Sequence, residues 1–329
     1  MTESTSSIQK IIDELLNGPQ QLSRQSLQQF SDIDPASLKT LLEAWPRIQP
    51  ERKRLLLEGL HSLADDDTLV SFDDFARTLL TDSDAQVRAG AIRLLDECED
   101  LKLIPAFIKI LTDDDSAETR SQAAIGLGKY VEMGELEEIS KKMKRQVEDA
   151  LLAKVNSDDQ LLVRRNALEA LGYSSRPEVV TAIKSAYHRE NPDWQASALF
   201  AMGRSADERW KDHILSSMLD EIEIVRLAAV EAAGELGLDA ARMVLFRLLE
   251  DEEDDDIAAA AIWSLSQVGG EDVRIYIQNL LDQSEDDEQV EFLEEALDNL
   301  YFTEDLAKFD LLNLDADDEL VEIEPDEDE

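Results

Sequence analysis

The sequence predicts an all-α solenoid, a chain built by stacking one helix pair on the next. Three observations predict it. The first is a segment written out three times: Val163-Arg164-Arg165-Asn166-Ala167-Leu168-Glu169-Ala170-Leu171-Gly172, then Trp194-Gln195-Ala196-Ser197-Ala198-Leu199-Phe200-Ala201-Met202-Gly203, then Val225-Arg226-Leu227-Ala228-Ala229-Val230-Glu231-Ala232-Ala233-Gly234. The starts lie 31 residues apart, at 163, 194 and 225, and a fixed period of this length marks a repeat architecture. The second is that weaker copies extend both ways. Upstream are Val87-Arg88 with Ala91 and Leu95, and Thr119-Arg120 with Ala123 and Leu127-Gly128; downstream are Ile257 with Ala261 and Leu265, and Val290 to Leu300. The third is composition. With 12 Gly and 8 Pro in 329 residues and no long strand pattern, little but helix is left. Length alone would suggest two domains, but a solenoid grows by adding units rather than by starting a second core.

Each element of the unit has a physical reason. An acidic turn such as Asp82-Ser83-Asp84 supplies the N-cap of the first helix. Positions 0, +4 and +8 from its Val fall on one helical face. Position +4 is always small (Ala91, Ala123, Ala167, Ala198, Ala229, Ala261), so neighbouring helices can approach closely. Gly128, Gly172, Gly203 and Gly234 fall at +9, where a C-cap glycine is expected. A second helix follows, for example over 177–187, 208–219 or 240–249. Both helices carry apolar residues on more than one face, so a pair must stack on its neighbours to be stable.

These features resemble the HEAT-repeat family, in particular its short phycobilisome-lyase-type HEAT-like repeat. The resemblance rests on the helix Val-Arg-x-x-Ala-x-x-x-Leu-Gly, on its period, and on an Asp six residues before the Arg. Those pairs are Asp82/Arg88, Asp114/Arg120, Asp158/Arg164 and Asp220/Arg226, and the resemblance covers about 50–301. It implies an all-α, right-handed α-solenoid of about seven to eight HEAT-like helix pairs. It also implies that these Asp and Arg residues form a structural ladder between adjacent repeats, and that the second helices line the concave face. The Trp194 copy has Arg189 and Gln195 at the ladder positions and the Ile257 copy has Glu252 and Ala258, so the implied ladder is left open at those two joints.

Residues 1–31 read as an N-terminal helical cap, with Ile8, Ile11, Ile12 and Leu15 on one face of a first short helix, Asn17-Gly18-Pro19 as its stop, and a second short helix from Ser23 to Phe30. Terminal repeats of solenoids are atypical because one side meets water. Residues 32–302 read as the HEAT-like solenoid. Asp34-Pro35 opens its first helix with Pro at the first helical position, and Leu55, Leu56, Leu57, Leu60 and Leu63 give the next a broad apolar face. The gap from Thr119 to Val163 is 44 residues, so one repeat carries an insertion of about 12 residues near 134–154, expected to lengthen a second helix. Residues 303–329 read as an acidic C-terminal tail, partly disordered. It has 13 acids and one base, Lys308, interleaved with Leu306, Phe309, Leu311, Leu312, Leu314, Leu320, Val321 and Ile323. Such a segment can cap the last repeat, solubilise the chain or fold on a partner.

Charge and motifs bound the function. Asp and Glu number 75 against 32 Lys and Arg, a formal net charge of −43. This repels nucleic acid and anionic lipid and attracts basic partners. A lone Cys98 excludes a disulfide framework. No stretch is apolar enough for a membrane span, and 1–7 lacks the features of a signal peptide, so the protein is expected to be cytoplasmic. The three histidines (His61, His188, His213) lie on separate repeats and at different positions within them, which argues against a metal or catalytic pair. Seven consecutive acids from Glu250 to Asp256 lack the spacing of a calcium loop. No catalytic residue, metal ligand or cofactor is therefore assigned. Trp45, Trp194, Trp210 and Trp263 read as core, with interface anchoring as the alternative.

Binding is read from the bases. The insertion carries Lys141, Lys142, Lys144 and Arg145, and the second helices carry Lys102, Lys109, Lys184, Lys211, Arg242, Arg247 and Arg274, while the acids concentrate in turns and tail. This pattern predicts a groove less acidic than its rim, fitted to an acidic or amphipathic peptide or to the chain's own tail; local ion pairing on helix faces is the other reading. The function expected is a non-enzymatic protein–protein interaction scaffold or adaptor, an assembly factor or regulatory subunit whose acidic rim selects a basic or amphipathic protein surface. The resemblance implies an alternative, a bilin lyase-like subunit or chromophore-attachment factor, for which no residue can be assigned a lyase role.

Overall fold

In the computed structural model, which describes residues 2–19, 21–252 and 254–318 and the side chains of 8–19, 21–250, 252 and 254–305, every regular element is helical. The chain divides into two compact units, Met1–Ala182 and Ile183–Glu329. The first unit contains α1 (Thr2–Asn17), α2 (Arg24–Leu27), α3 (Pro35–Ala44), α4 (Pro50–Asp66), α5 (Asp73–Leu79), α6 (Ala85–Arg93), α7 (Leu103–Asp113), α8 (Ala117–Glu135), α9 (Lys141–Val155) and α10 (Leu161–Ala170). The division passes through α11 (Pro177–Tyr187). The second unit contains α12 (Pro192–Gly203), α13 (Lys211–Ser217), α14 (Glu223–Glu235), α15 (Arg242–Asp251), α16 (Asp255–Val268), α17 (Glu271–Gln283) and α18 (Asp287–Asp318). Short 3-10 turns follow α2 and α3 and precede α13 and α15.

The first helices of successive repeats form one layer in each unit: α4, α6, α8 and α10 in the first, α12, α14, α16 and α18 in the second. Within each unit second helices also pack on the first helix that follows, as α7 does on α8 and α15 on α16. This is the α-solenoid that the period predicts. All six alanines at position +4 are completely buried. So are Val87 and Val163 at position 0 and Leu127, Leu171 and Leu265 at +8. The turns cap as expected: Asp84 accepts from the N–H groups of Gln86 and Val87, and Asp254 from those of Asp256 and Ile257.

Two expectations are corrected. Three of the four +9 glycines are not C-caps, while Gly172 does follow the Leu171 C-cap of α10. Gly128 lies inside α8, and Gly203 and Gly234 lie within the last turns of α12 and α14, while the described glycines with positive φ are Gly237, Gly269 and Gly270. For Gly203 and Gly234 the role is close approach. A Cβ on Gly203 would stand 2.8 Å from the Ala232 Cα, and one on Gly234 2.8 Å from the Ser264 Cα. Because Gly128 does not stop α8, the inserted residues lengthen the first helix as well as the second: α8 has 19 residues and α9 has 15, against 9 in α6. In the tail, the backbone from 303 to 318 continues α18. Residues 319–329, on which the reading of a partly disordered tail falls, lie outside the described residues.

The ladder between repeats has a consistent geometry. Arg88 places Nε and Nη2 on the Asp114 carboxylate of the next repeat, at 2.8 and 2.7 Å, and donates Nη1 to the backbone carbonyl of Asp82, six residues before it. Arg120 donates to Asp159 at 2.9 and 2.5 Å and to the Asp114 carbonyl at 2.7 Å. Arg226 donates to Glu252 at 2.8 and 3.2 Å and to the Asp220 carbonyl at 2.8 Å. Each acid also shapes its own turn: Asp114 accepts from the Ser116 N–H and Glu252 from that of Asp254. Each carboxylate therefore holds a turn and ties two repeats together.

The joints differ in detail from the implied pairing. The acceptor for Arg120 is Asp159, not the exposed Asp158, because the turn aims Asp159 at both Arg120 and Lys154. Arg164 donates Nε to the Val155 carbonyl. The joint left open at the Ile257 copy is made, since Glu252 reaches Arg226. At the Trp194 copy Gln195 stands where the Arg would be. No cation reaches the Asp220 carboxylate among the described residues, and it accepts only from the Ile222 N–H.

The ladder carries a pH prediction. The Arg120 guanidinium, against the opposing effect of burial, and then Lys154 hold the Asp159 carboxyl far below the usual carboxylate range. A depressed folded-state pKa contributes stability above the unfolded-state value and loses it as pH falls through the folded value. Asp159→Asn should therefore be less stable than wild type at pH 7 by about 2–3 kcal/mol. The difference should shrink below about pH 4, as read by urea denaturation across pH. A difference independent of pH would refute the ladder's electrostatic role.

Candidate functional site

The predicted basic residues separate into two groups. Lys144 pairs with Glu135 at 2.8 Å and Arg145 with Asp149 at 3.5 Å. Arg242 pairs with Asp239 and with Asp272 of α17, and Arg274 with Glu271 and with Glu304 of α18. These four are matched internally, Arg242 and Arg274 in a second ladder between repeats. Lys102, Lys109, Lys141, Lys142, Lys211 and Arg247 are exposed and make no ion pair among the described residues. Lys184 is exposed too and lies over the Trp210 ring at 5.8 Å.

The second unit brings His188 and His213 nearer than their positions in the repeat imply, with ring centroids 6.3 Å apart. His213 also contacts Tyr187 and Trp210, at 5.0 and 5.8 Å. Among the described residues no group of three or more His, Cys, Asp or Glu is placed to hold a metal ion. Cys98 is buried beside Arg77, and that burial pushes its thiol pKa up, away from nucleophile chemistry.

Sequence reasoning missed a groove across the first helices of the second unit. It is open and holds about 450 Å³. Phe200 of α12 and Arg204, just past its end, form one wall and Phe292 of α18 lies along another. Glu231 and Glu235 of α14 and Trp263 and Asp256 of α16 lie between them, and Ala232, Ala260 and Ser264 make a low floor. Phe200, Glu231 and Trp263 all stand at position +6 from the start of their copies, and Arg204, Glu235 and Gln267 at +10. One register therefore builds the groove from three repeats, on the face turned away from the buried stripe.

Its chemistry is mixed. Arg204 stacks on the Phe200 ring at 4.2 Å. Glu231 is exposed, but partial desolvation and the nearby Glu235 raise its pKa from the ordinary glutamate value. Trp45, Trp194 and Trp210 are 5, 4 and 1 % exposed, core residues as read, but Trp263 is 37 % exposed. The signal for this was present: +6 lies off the 0, +4, +8 stripe that the core demands.

The HEAT-repeat family model matches residues 73–145, 148–232 and 212–298. Several solved structures align with the chain at low TM-scores. The complex of CpcE and CpcF of phycocyanin lyase from Nostoc sp. PCC7120 aligns with 18 % identity over 69 % of this chain and 94 % of that one, with a TM-score of 0.46. Human deoxyhypusine hydroxylase aligns with 14 % identity over 81 % of this chain and 97 % of that one, at 0.34. The Kap95:Nup1 complex aligns with 11 % identity over 90 % of this chain and 46 % of that one, at 0.44. No match was found among curated proteins. At these identities and TM-scores the structures carry no weight in the assignment, which rests on the family match across most of the chain: the protein belongs to the HEAT-repeat family.

Proposed function

We propose that the protein is a non-enzymatic interaction scaffold or adaptor that holds another protein on the first-helix face of its second unit. The observation that carries this reading is Trp263, a large aromatic left 37 % exposed in an open groove built by one register of three repeats. Exposed tryptophans in grooves are typical anchors of protein interfaces, and truncating such an anchor costs 2 kcal/mol or more, roughly a thirtyfold loss of affinity. The many acids at the turns between repeats would speed and select the encounter with a basic surface.

The test is an affinity pull-down from native lysate with the full chain and with Trp263→Ala as bait, at low and at high salt. The expected result is one stoichiometric partner that survives high salt on wild type and is lost on the variant. A broad set of basic proteins that all leave at high salt would overturn the reading, since net charge alone would then explain the binding. A visible colour change on adding a linear tetrapyrrole would also overturn it, in favour of chromophore attachment.

A further inference from the structure

We propose that the groove formed by α12, α14, α16 and α18 takes an amphipathic helix of a partner that seats an apolar side chain between Trp263 and Phe292 and a Lys or Arg against Glu231 and Glu235. The proposal rests on the adaptor reading and names the partner's chemistry. Three observations carry it. The lining holds three acids (Glu231, Glu235, Asp256) against one base, Arg204, which is already stacked on Phe200. The acidic and aromatic subsites lie on neighbouring helices, Glu231 on α14 and Trp263 on α16, in the same +6 register. The floor between them is of small side chains, so a helix can lie close.

The spacing specifies the ligand. Neighbouring packed helices stand about 8–10 Å apart. On a docked helix, residues seven apart on one face are separated by about 10 Å. A cation and an apolar residue seven positions apart therefore meet the acid and the tryptophan together. A helix carrying only one of the two features would leave Glu231 and Glu235 unmatched or Trp263 uncovered. The chain's own acidic tail has the wrong charge for this groove.

The experiment uses the full chain and three labelled peptides at about 0.3 M salt, where exposed charges are well screened. One is a designed leucine–lysine helix with this spacing, the second its leucine–glutamate counterpart, the third oligolysine. Binding is read by fluorescence anisotropy. The leucine–lysine helix is expected to bind and the other two are not. Trp263→Ala and the double variant Glu231→Gln/Glu235→Gln should each weaken binding about tenfold or more. The latter keeps side-chain shape, so a misfolded variant cannot mimic the effect.

Glu137→Gln/Glu138→Gln makes the same charge change at exposed positions of the first unit and should leave binding unchanged. The proposal is overturned if no peptide binds, if oligolysine binds as well as the leucine–lysine helix, or if the groove variants and the distant variant behave alike. If the leucine–lysine helix fails while Trp263→Ala still loses the lysate partner, this occupant is wrong and the adaptor reading stands. If both fail, the groove is not the binding face.

Discussion

Replacing Asp82 with alanine is expected to destabilise the first unit by about 4 kcal/mol, a large effect for a residue in an inter-repeat turn. Asp82 ends the ladder at its N-terminal side. One carboxylate oxygen accepts from the Lys53 ammonium at 3.0 Å and from the Trp45 indole N–H at 2.6 Å; the other accepts from the Asp84 N–H at 2.8 Å. The Lys53 and Asp82 side chains are only 8 and 5 % exposed. Removing the acid strands a buried ammonium and a buried indole N–H, and breaking one side of a buried pair costs far more than the pair contributes net. Burial alone would raise the Asp82 pKa, but the Asp84 N–H, the Trp45 indole and Lys53 outweigh it and hold it below the usual range. The contribution is therefore present at neutral pH and lost as pH falls through the folded-state value. Hydrogen exchange of α4 to α6 is the measurement. Asp82→Ala should deprotect these helices at pH 7, and Asp82→Asn, which keeps an acceptor, should do so less. Equal protection in all three would show that the buried pair is not a tie.

Gly203→Val in α12 is expected to cost about 2–3 kcal/mol in the second unit through overpacking. The new Cβ would meet the Ala232 Cα at 2.8 Å and its Cβ at 3.1 Å, and a backbone atom cannot rotate aside. Gly59→Ala is the control. Its Cβ would meet the Leu27 Cδ1 at 3.2 Å, the free end of a side chain that can shift, so the cost should stay under about 1 kcal/mol. Urea denaturation followed by circular dichroism compares the two. The valine variant should also weaken peptide binding, because α12 carries Phe200 and α14 carries Glu231. A valine variant as stable as wild type would mean that the helices can separate at no cost, and the close-approach role of Gly203 would be wrong.

The glycines and bases show why some of the chain was legible and some was not. Gly203 looks like a helix stop because glycine at a helix end usually is one, and only the position of Ala232 on the next helix reveals the other use. The bases of the second helices read as a groove. Yet Arg242 and Arg274 spend their charge on Asp272 and Glu304, while Lys211 and Arg247 stay exposed. In the sequence all four look alike. Trp263 reads as core like the other three tryptophans, with interface anchoring as the alternative, although its +6 position already sets it off the buried stripe.

Helix pairs, their period and their inward faces were legible in the residues alone. These follow from local rules: an acid that can cap, a small residue at +4, and apolar side chains at helical spacing, all within about three turns of one helix. Which acid receives each arginine and which aromatic stays at the surface depends on how the repeats pack. Arg88 reaches Asp114 across 26 residues and Arg120 reaches Asp159 across 39, past the nearer Asp158. Such partners are selected by the distance between side chains on different repeats. That distance depends on how closely two helices pack and how one turn is wound, and the spacing of residues along the chain does not encode either.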